Sequence, residues 1–142
     1  MSGINFGEIN WWAVLVAAFA VFMLGGLWYT ALFGKLWVRL NGYSEEKVKE
    51  MQAKRPPPVF FGIMMGSYLL LAVVVALLMT DFHTNSAGQG AMLGFLLWLG
   101  PAVAIGLTGF IASDKPFGVF LIDGSYQLIF LVMMGAILGG WR

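Results

Sequence analysis

Long apolar runs alternate with short polar segments along the whole chain. Four runs stand out, and they cover roughly residues 11–33, 59–80, 90–112 and 117–140. Each is long enough to cross about 30 Å of hydrocarbon as an α-helix, and none shows the alternating polarity of a membrane β-strand. The pattern therefore predicts an all-α fold, an integral membrane four-transmembrane-helix bundle that forms a single transmembrane domain over residues 1–142.

A charged segment separates the first two runs and predicts a short cytoplasmic helix over residues 44–55. Ser44 is a suitable N-cap for this helix, because a serine side chain accepts hydrogen bonds from the first backbone N–H groups. The three prolines at 56–58 end it, since proline lacks the N–H that a helix interior needs. Two interpretations stay open: a solvated linker near the lipid headgroups, or a surface that contacts a partner or anionic lipid.

The composition also indicates a membrane protein. Of the 142 residues, 60% are hydrophobic and 11% are charged, whereas ordinary soluble domains are about 25% charged. No lysine or arginine precedes the first run, and that run is too long for a signal peptide, so we expect it to be a helix of the mature protein. The absence of cysteine excludes disulfides, thiolate metal sites and thiol catalysis.

The basic residues are distributed unevenly around the four runs. Lys115 lies between the third and fourth runs, Arg142 ends the chain, and the others lie between the first and second runs: Lys35, Arg39, Lys47, Lys49, Lys54 and Arg55. Short loops rich in lysine and arginine stay in the cytoplasm. We therefore expect a multi-pass protein of the bacterial cytoplasmic (inner) membrane, with both termini and the loop 81–89 on the outer side.

Many of the 19 glycines recur at a four-residue spacing. Because apolar helices gain no hydrophobic energy by associating in lipid, close backbone contact at small residues helps to join them. The spacing predicts tight helix packing, within one chain or between copies of a homo-oligomer, at Gly62 with Gly66, Gly90 with Gly94, and Gly135 with Gly139. Gly100 and Pro101 predict a kink in the third run.

One acid lies inside the fourth run, in the stretch FLIDGSYQLIF. Asp123 shares a helix face with Tyr126 and Gln127, so the polar groups cluster. If this helix enters the membrane at Phe117, Asp123 lies about 9 Å below the cytoplasmic boundary. Two roles stay open: a hydrogen-bonded or ion-paired clamp to the first run or to a neighbouring subunit, or a site for a proton, an ion or a ligand.

The end of the first run supplies further candidates for this site. Trp28 and Tyr29, with Trp37 after them, are expected in an aromatic belt at the inner membrane boundary. The long side chains of Lys35 and Arg39 could extend towards Asp123. We therefore place Trp28, Tyr29 and Lys35 beside Asp123, Tyr126 and Gln127 among the candidate ligand- or ion-binding residues.

No pattern in the sequence indicates catalysis. His83 has no second histidine with which to bind a metal, and no Ser-His-Asp set, P-loop or dinucleotide fingerprint occurs at a credible position. We therefore expect no enzyme activity, no metal, no cofactor and no nucleic-acid partner. Membrane lipid and a second copy of the chain are the expected partners, and the identity of a small-molecule ligand stays open.

Two motifs resemble a known family. The first is LGGLWYTALFGKLWVRLNG at the end of the first run, and the second is VMMGAILGGW near the C-terminus. Over essentially the entire chain, the sequence resembles DUF1761, a family of small, uncharacterised bacterial membrane proteins. The residues that match are Trp28, Tyr29, Phe33, Gly34, Lys35 and Trp37 in the first motif, and Gly135, Ala136, Ile137, Leu138, Gly139 and Trp141 in the second. The resemblance implies four spans and no established activity.

Two functional hypotheses follow from these observations. The first is a homo-oligomer with a structural role, or one that binds lipid or a small apolar ligand, in which Asp123, Tyr126 and Gln127 form a polar clamp. The second is a small proton- or ion-coupled transporter in which Asp123 titrates. Small multidrug exporters are of similar size, but here the first run contains no acid, because Glu8 precedes it.

Overall fold

The computed structural model describes residues 6–141 and confirms the all-α prediction. Within these residues there is no strand, and four helical segments are long and apolar enough to cross a membrane. They are Trp11–Leu32, Pro57–Asp81, Ala87–Ser113 and Phe117–Gly140. Residues 1–5 of the predicted N-terminal segment, and Arg142 of the predicted charge distribution, lie outside the described residues.

Two of the four spans are built from more than one helix. The first consists of α1 and a π-helical turn at Trp28–Leu32, and the third consists of α5 and α6 with a second π-helical turn, Trp98–Ala102, between them. A short 3-10 turn precedes α1 at Phe6–Glu8. The α-helices are α1 (Trp11–Leu27), α2 (Gly34–Leu40), α3 (Glu45–Lys54), α4 (Pro57–Asp81), α5 (Ala87–Leu97), α6 (Val103–Ser113) and α7 (Phe117–Gly140).

Short polar side chains set the start of several helices. The Ser44 side chain accepts from Lys47 N–H, so α3 begins where the capping residue predicted it. Ser86 caps α5 through Gln89 N–H in the same way. The second span begins at Pro57, two residues earlier than the apolar pattern alone indicated, because proline is well tolerated in the first turn of a helix.

The first span ends in a sharp change of direction that the sequence did not indicate. The π-helical turn closes with Phe33 N–H donating to Trp28 O at 2.8 Å. Gly34 follows, and a Cβ at this position would lie 3.0 Å from the Tyr29 carbonyl carbon, so only glycine fits the close approach. The chain then forms α2, where Leu40 packs against Gly118 near the start of α7.

The core lies between the first, second and fourth spans. Small residues allow α1 and α4 to approach, among them Ala17 and Ala72, which are fully buried. Larger side chains of α7, such as Phe130 and Met134, fill the remaining space on that side. The fourth span is therefore the central helix of the bundle.

The third span packs on α7 through backbone contacts at glycine. Gly90 and Gly94 are the buried residues of α5, and a Cβ on either would overlap backbone atoms of α7, at Gly135 and Leu131 respectively. Gly139 also packs closely, because a Cβ there would lie 2.9 Å from Gly90 Cα and would overlap the Ser86 carbonyl oxygen. The interruption predicted at Gly100 and Pro101 falls in the second π-helical turn, and beyond it α6 has no buried residue.

Gly62 and Gly66 are in a different environment from the other two glycine pairs. Both are exposed on α4, and a Cβ at either position would meet no atom within 4 Å. This pair therefore makes no close helix contact within the described chain.

Candidate functional site

A polar cluster surrounds Asp123 at the junction of the first and fourth spans. The hydroxyl of Tyr29 donates to Asp123 Oδ1 at 2.5 Å, and the indole Nε1 of Trp37 donates to the same oxygen at 3.0 Å. Tyr29 comes from the first π-helical turn and Trp37 from α2, so the change of direction at Gly34 brings both donors to one acceptor. The acid is thereby joined to the first span by hydrogen bonds.

Two further tryptophans bind the backbone on either side of Asp123. Trp28 Nε1 donates to Ile122 O at 3.1 Å, and Trp98 Nε1 donates to Gly124 O at 2.9 Å. Each of these tryptophans is the first residue of a π-helical turn. Because a carbonyl has two lone pairs, Ile122 O and Gly124 O can accept these bonds as well as those of the helix. Three indole groups from three directions thus fix one turn of α7.

Tyr126 anchors the next turn of α7 to the other two core helices. Its hydroxyl donates to Val21 O of α1 at 2.9 Å and lies 2.9 Å from the Tyr68 hydroxyl of α4. Because a hydroxyl has only one proton, Tyr68 is the donor to Tyr126 when Tyr126 donates to Val21 O. Tyr126 is buried, and its ring also contacts Tyr29 edge-on, so it connects the polar cluster to the core.

A cleft of about 220 Å³ lies between α6 and α7, and Asp123 is one of the residues that line it. Its glycines leave the space open, because neither Gly109 nor Gly124 has an atom within 4 Å of the position of a Cβ. Polar groups at the cleft come from Asp123, Gln127 and Lys115. The remaining lining residues are Gly106, Phe110, Ser113, Val119 and Phe120.

The predicted site residues fall into three groups. Asp123 and Tyr29 are in direct contact, and Trp28 and Tyr126 lie beside them. Gln127 lines the cleft, and its Oε1 lies 4.0 Å from the place that a Cβ on Gly106 would occupy. Lys35 belongs neither to the cluster around Asp123 nor to the cleft.

The expectation that a basic residue reaches Asp123 needs correction. Lys35 and Arg39 lie on α2 with exposed side chains, and the described residues show no ion pair to Asp123. The α2 helix turns Trp37 towards the acid, and a neutral indole donor takes the place predicted for a charged one. The position of Trp28 also differs from the belt that we expected, because its side chain is buried and bonded to α7.

Sequence reasoning missed three participants in this site: Trp37 as a partner of Asp123, Tyr68 and Trp98. One signal was available, because an indole N–H or a phenol placed among apolar residues usually finds a hydrogen-bond acceptor. The acceptors could not be assigned, since two of them are side chains of a helix far away in the sequence and the third is a backbone carbonyl of the kind that every helix possesses.

The cleft brings a carboxyl group, an amide and aromatic rings to one place. Asp123 presents a carboxylate to the cleft with neutral donors behind it. Among the described residues, no group of three His, Asp or Glu side chains could hold a metal ion. A molecule in the cleft would meet the polar side chains of Asp123, Gln127 and Lys115, aromatic rings and glycine backbone.

The comparisons with known proteins agree with the motifs at the two ends of the chain. No curated protein and no solved structure gives a significant match. A family model does match, over residues 12–139, which is nearly the whole chain. Its description is a protein of unknown function, DUF1761, and this chain is a member of that family.

Proposed function

We propose that this protein binds lipid or a small amphipathic molecule from the bilayer, in the cleft between α6 and α7. One observation carries the proposal: Asp123, within a helix that is long and apolar enough to cross a membrane, lines an open cleft while only its Oδ1 atom accepts hydrogen bonds, from Tyr29 and Trp37. A carboxylate placed among apolar residues is costly, and such groups usually face a partner, a cavity or a pathway. The other oxygen of Asp123 is therefore the atom to which the polar group of a bound molecule would donate a hydrogen bond.

The shape of the cleft supports an amphipathic occupant. Phe110 and Phe120 line the cleft with their ring centroids 5.5 Å apart, and Gly106 and Gly109 of α6 line it as well. Aromatic and glycine surfaces accept a hydrocarbon chain without leaving polar groups unsatisfied. The cleft therefore offers both polar groups for a head and apolar surface for a chain.

The experiment is to identify molecules that stay with the purified protein and to fill the cleft by mutation. Native mass spectrometry of the protein in mild detergent should show a bound species that Gly109→Leu removes. Gly109 has open space at its Cβ position, so the larger side chain can enter the cleft without displacing backbone.

Gly26→Leu is the matched control, because Gly26 is also an exposed glycine with open space, but on α1 and away from the cleft. It should retain the bound species. Equal retention by both variants would contradict the proposal.

A second candidate function is proton- or ion-coupled transport through Asp123. The observation in its favour is that the acid has no basic partner among the described residues, so a proton or cation could balance its charge. Proteoliposomes should then show pH-dependent flux that Asp123→Asn abolishes. If Asp123 is only a hydrogen-bond acceptor, the asparagine variant should assemble and function nearly as the parent does.

We also propose that the chain forms homo-oligomers and that its lysine-rich connections face the cytoplasm of a bacterial inner membrane. The open glycine face of α4 supports the first statement, and the uneven distribution of lysine and arginine supports the second.

A further inference from the structure

Building on the proposed function, we infer that the molecule in the cleft is a lipophilic amine. Its protonated amino group lies beside Asp123, and its apolar body passes between α6 and α7 into the bilayer. The inference rests on four features of the cleft, which are the environment of the acid, the chemistry of the walls, the position of Lys115 and the size of the space.

Asp123 has no ion-pair partner within the described chain. Its two hydrogen-bond donors, Tyr29 and Trp37, are both neutral, and the nearby Lys35 and Arg39 are exposed on α2. Neutral donors stabilise a carboxylate but leave its net charge in place. In a medium of low dielectric constant, a cation provides the largest additional stabilisation. An ammonium group supplies both the charge and the N–H donors that the free oxygen accepts.

The walls around Asp123 favour a cation over an anion. The side-chain amide of Gln127 also lines the cleft, and its carbonyl oxygen can act as a second acceptor beside the acid. The rings of Phe110 and Phe120 line the same space, and the face of an aromatic ring attracts a cation. Ser113 does not offer its proton to a ligand, because its hydroxyl already donates to Phe110 O at 3.0 Å.

Lys115 is the basic residue of the cleft, and its amino group is held on another surface. Its Nζ lies 3.5 Å from Asn41 O and 4.7 Å from the centre of the Tyr43 ring. These contacts draw the side chain towards the segment that follows α2. The amino group of this lysine therefore has partners of its own outside the set of cleft residues.

The size of the space limits how much of the ligand is enclosed. Pockets that enclose drug-sized molecules measure about 300–1,000 Å³, and this cleft measures about 220 Å³. It can hold an amino group and the first carbons of a chain. The rest of the molecule must lie against the lipid-facing surfaces of α6 and α7, as expected for an alkyl amine that enters from the bilayer.

The test compares three photoreactive probes with the same twelve-carbon chain, ending in an amine, an alcohol or a carboxylate. The protein is placed in lipid nanodiscs, the probes are added at equal mole fraction in the lipid, and labelled peptides are mapped after illumination. We expect the amine to label the segment 106–127 about tenfold more than the alcohol, a ratio that corresponds to about 1.4 kcal/mol. The carboxylate should label it least.

Two variants separate this inference from the proposed function. Asp123→Asn should make amine and alcohol label the cleft equally, whereas Gly109→Leu should abolish cleft labelling by all three probes. Alcohol labelling equal to amine labelling in the unmodified protein would overturn the inference and leave the cleft as a lipid site. Labelling that avoids the cleft, or that Gly109→Leu does not change, would overturn the proposed function itself. The comparison in the unmodified protein does not depend on either variant folding.

Discussion

Tyr29 and Asp123 are 94 positions apart in the chain, yet the phenol oxygen of one lies 2.5 Å from a carboxylate oxygen of the other. This contact joins the π-helical end of the first span to the central helix of the bundle. It also places the acid between two regions, with hydrogen-bond donors on one side and the cleft on the other.

Removing the phenol hydroxyl should weaken the bundle. We expect Tyr29→Phe to lower the free energy of unfolding by about 1–2 kcal/mol, between typical values for hydrogen bonds in membranes and for those to charged groups. Thermal or detergent-induced unfolding in micelles, followed by circular dichroism, measures the change. Tyr43→Phe is the matched control, because the Tyr43 hydroxyl makes no hydrogen bond within the described residues. Equal stability of the two variants would show that the Tyr29 contact contributes nothing.

The glycine contact between α5 and α7 should not tolerate even one methyl group. A Cβ on Gly90 would lie 2.8 Å from the Gly135 carbonyl carbon, so Gly90→Ala must separate two backbones. Overpacking of this kind costs about 1–3 kcal/mol. We expect a lower melting temperature and less folded protein for Gly90→Ala than for Gly66→Ala, where the Cβ position is open. The same melting temperature in both variants would mean that the third span does not pack on α7 in this way.

The open glycine face of α4 predicts how copies of the chain associate. If Gly62 and Gly66 allow two chains to approach, Gly66→Leu should reduce energy transfer between labelled copies diluted in bilayers by several-fold, because a leucine separates the backbones. Gly26→Leu is the control, since Gly26 is another exposed glycine with open space, but in the first span. Unchanged energy transfer in Gly66→Leu would show that copies of the chain do not associate through this face of α4. The melting temperature of both variants should equal that of the parent.

The orientation in the membrane can be measured with single cysteines, because the sequence contains none. Glu46→Cys lies on α3 and Asn85→Cys lies in the connection before α5, and both positions are exposed. A membrane-impermeant maleimide applied to intact cells should label Asn85→Cys and should label Glu46→Cys only after permeabilisation. The opposite result would invert the predicted topology. Asp123 would then lie near the outer boundary of the membrane instead of the cytoplasmic one.

The site was only partly predictable from the sequence, for a reason visible in Trp37. Hydropathy places this tryptophan just past the end of a span, where an interfacial belt is the ordinary expectation. Its actual partner depends on the turn at Gly34, which forms because glycine fits against the Tyr29 carbonyl. Lys35 was expected near Asp123 because the prediction considered only the length of the lysine side chain and its position at the end of the first span. The helix formed by 34–40 has one side towards α7, and Trp37, not Lys35, lies on it.

The sequence by itself determined the lipid environment of the protein and its helical architecture. Four apolar segments of sufficient length must satisfy their backbone hydrogen bonds internally in lipid, so they form helices whatever their neighbours are. Only the tertiary structure decided which glycines meet, which donors reach Asp123 and where a cleft opens. Those features depend on how helices rotate and bend against one another, and in lipid that choice is made by close packing and individual hydrogen bonds, which hydropathy does not encode.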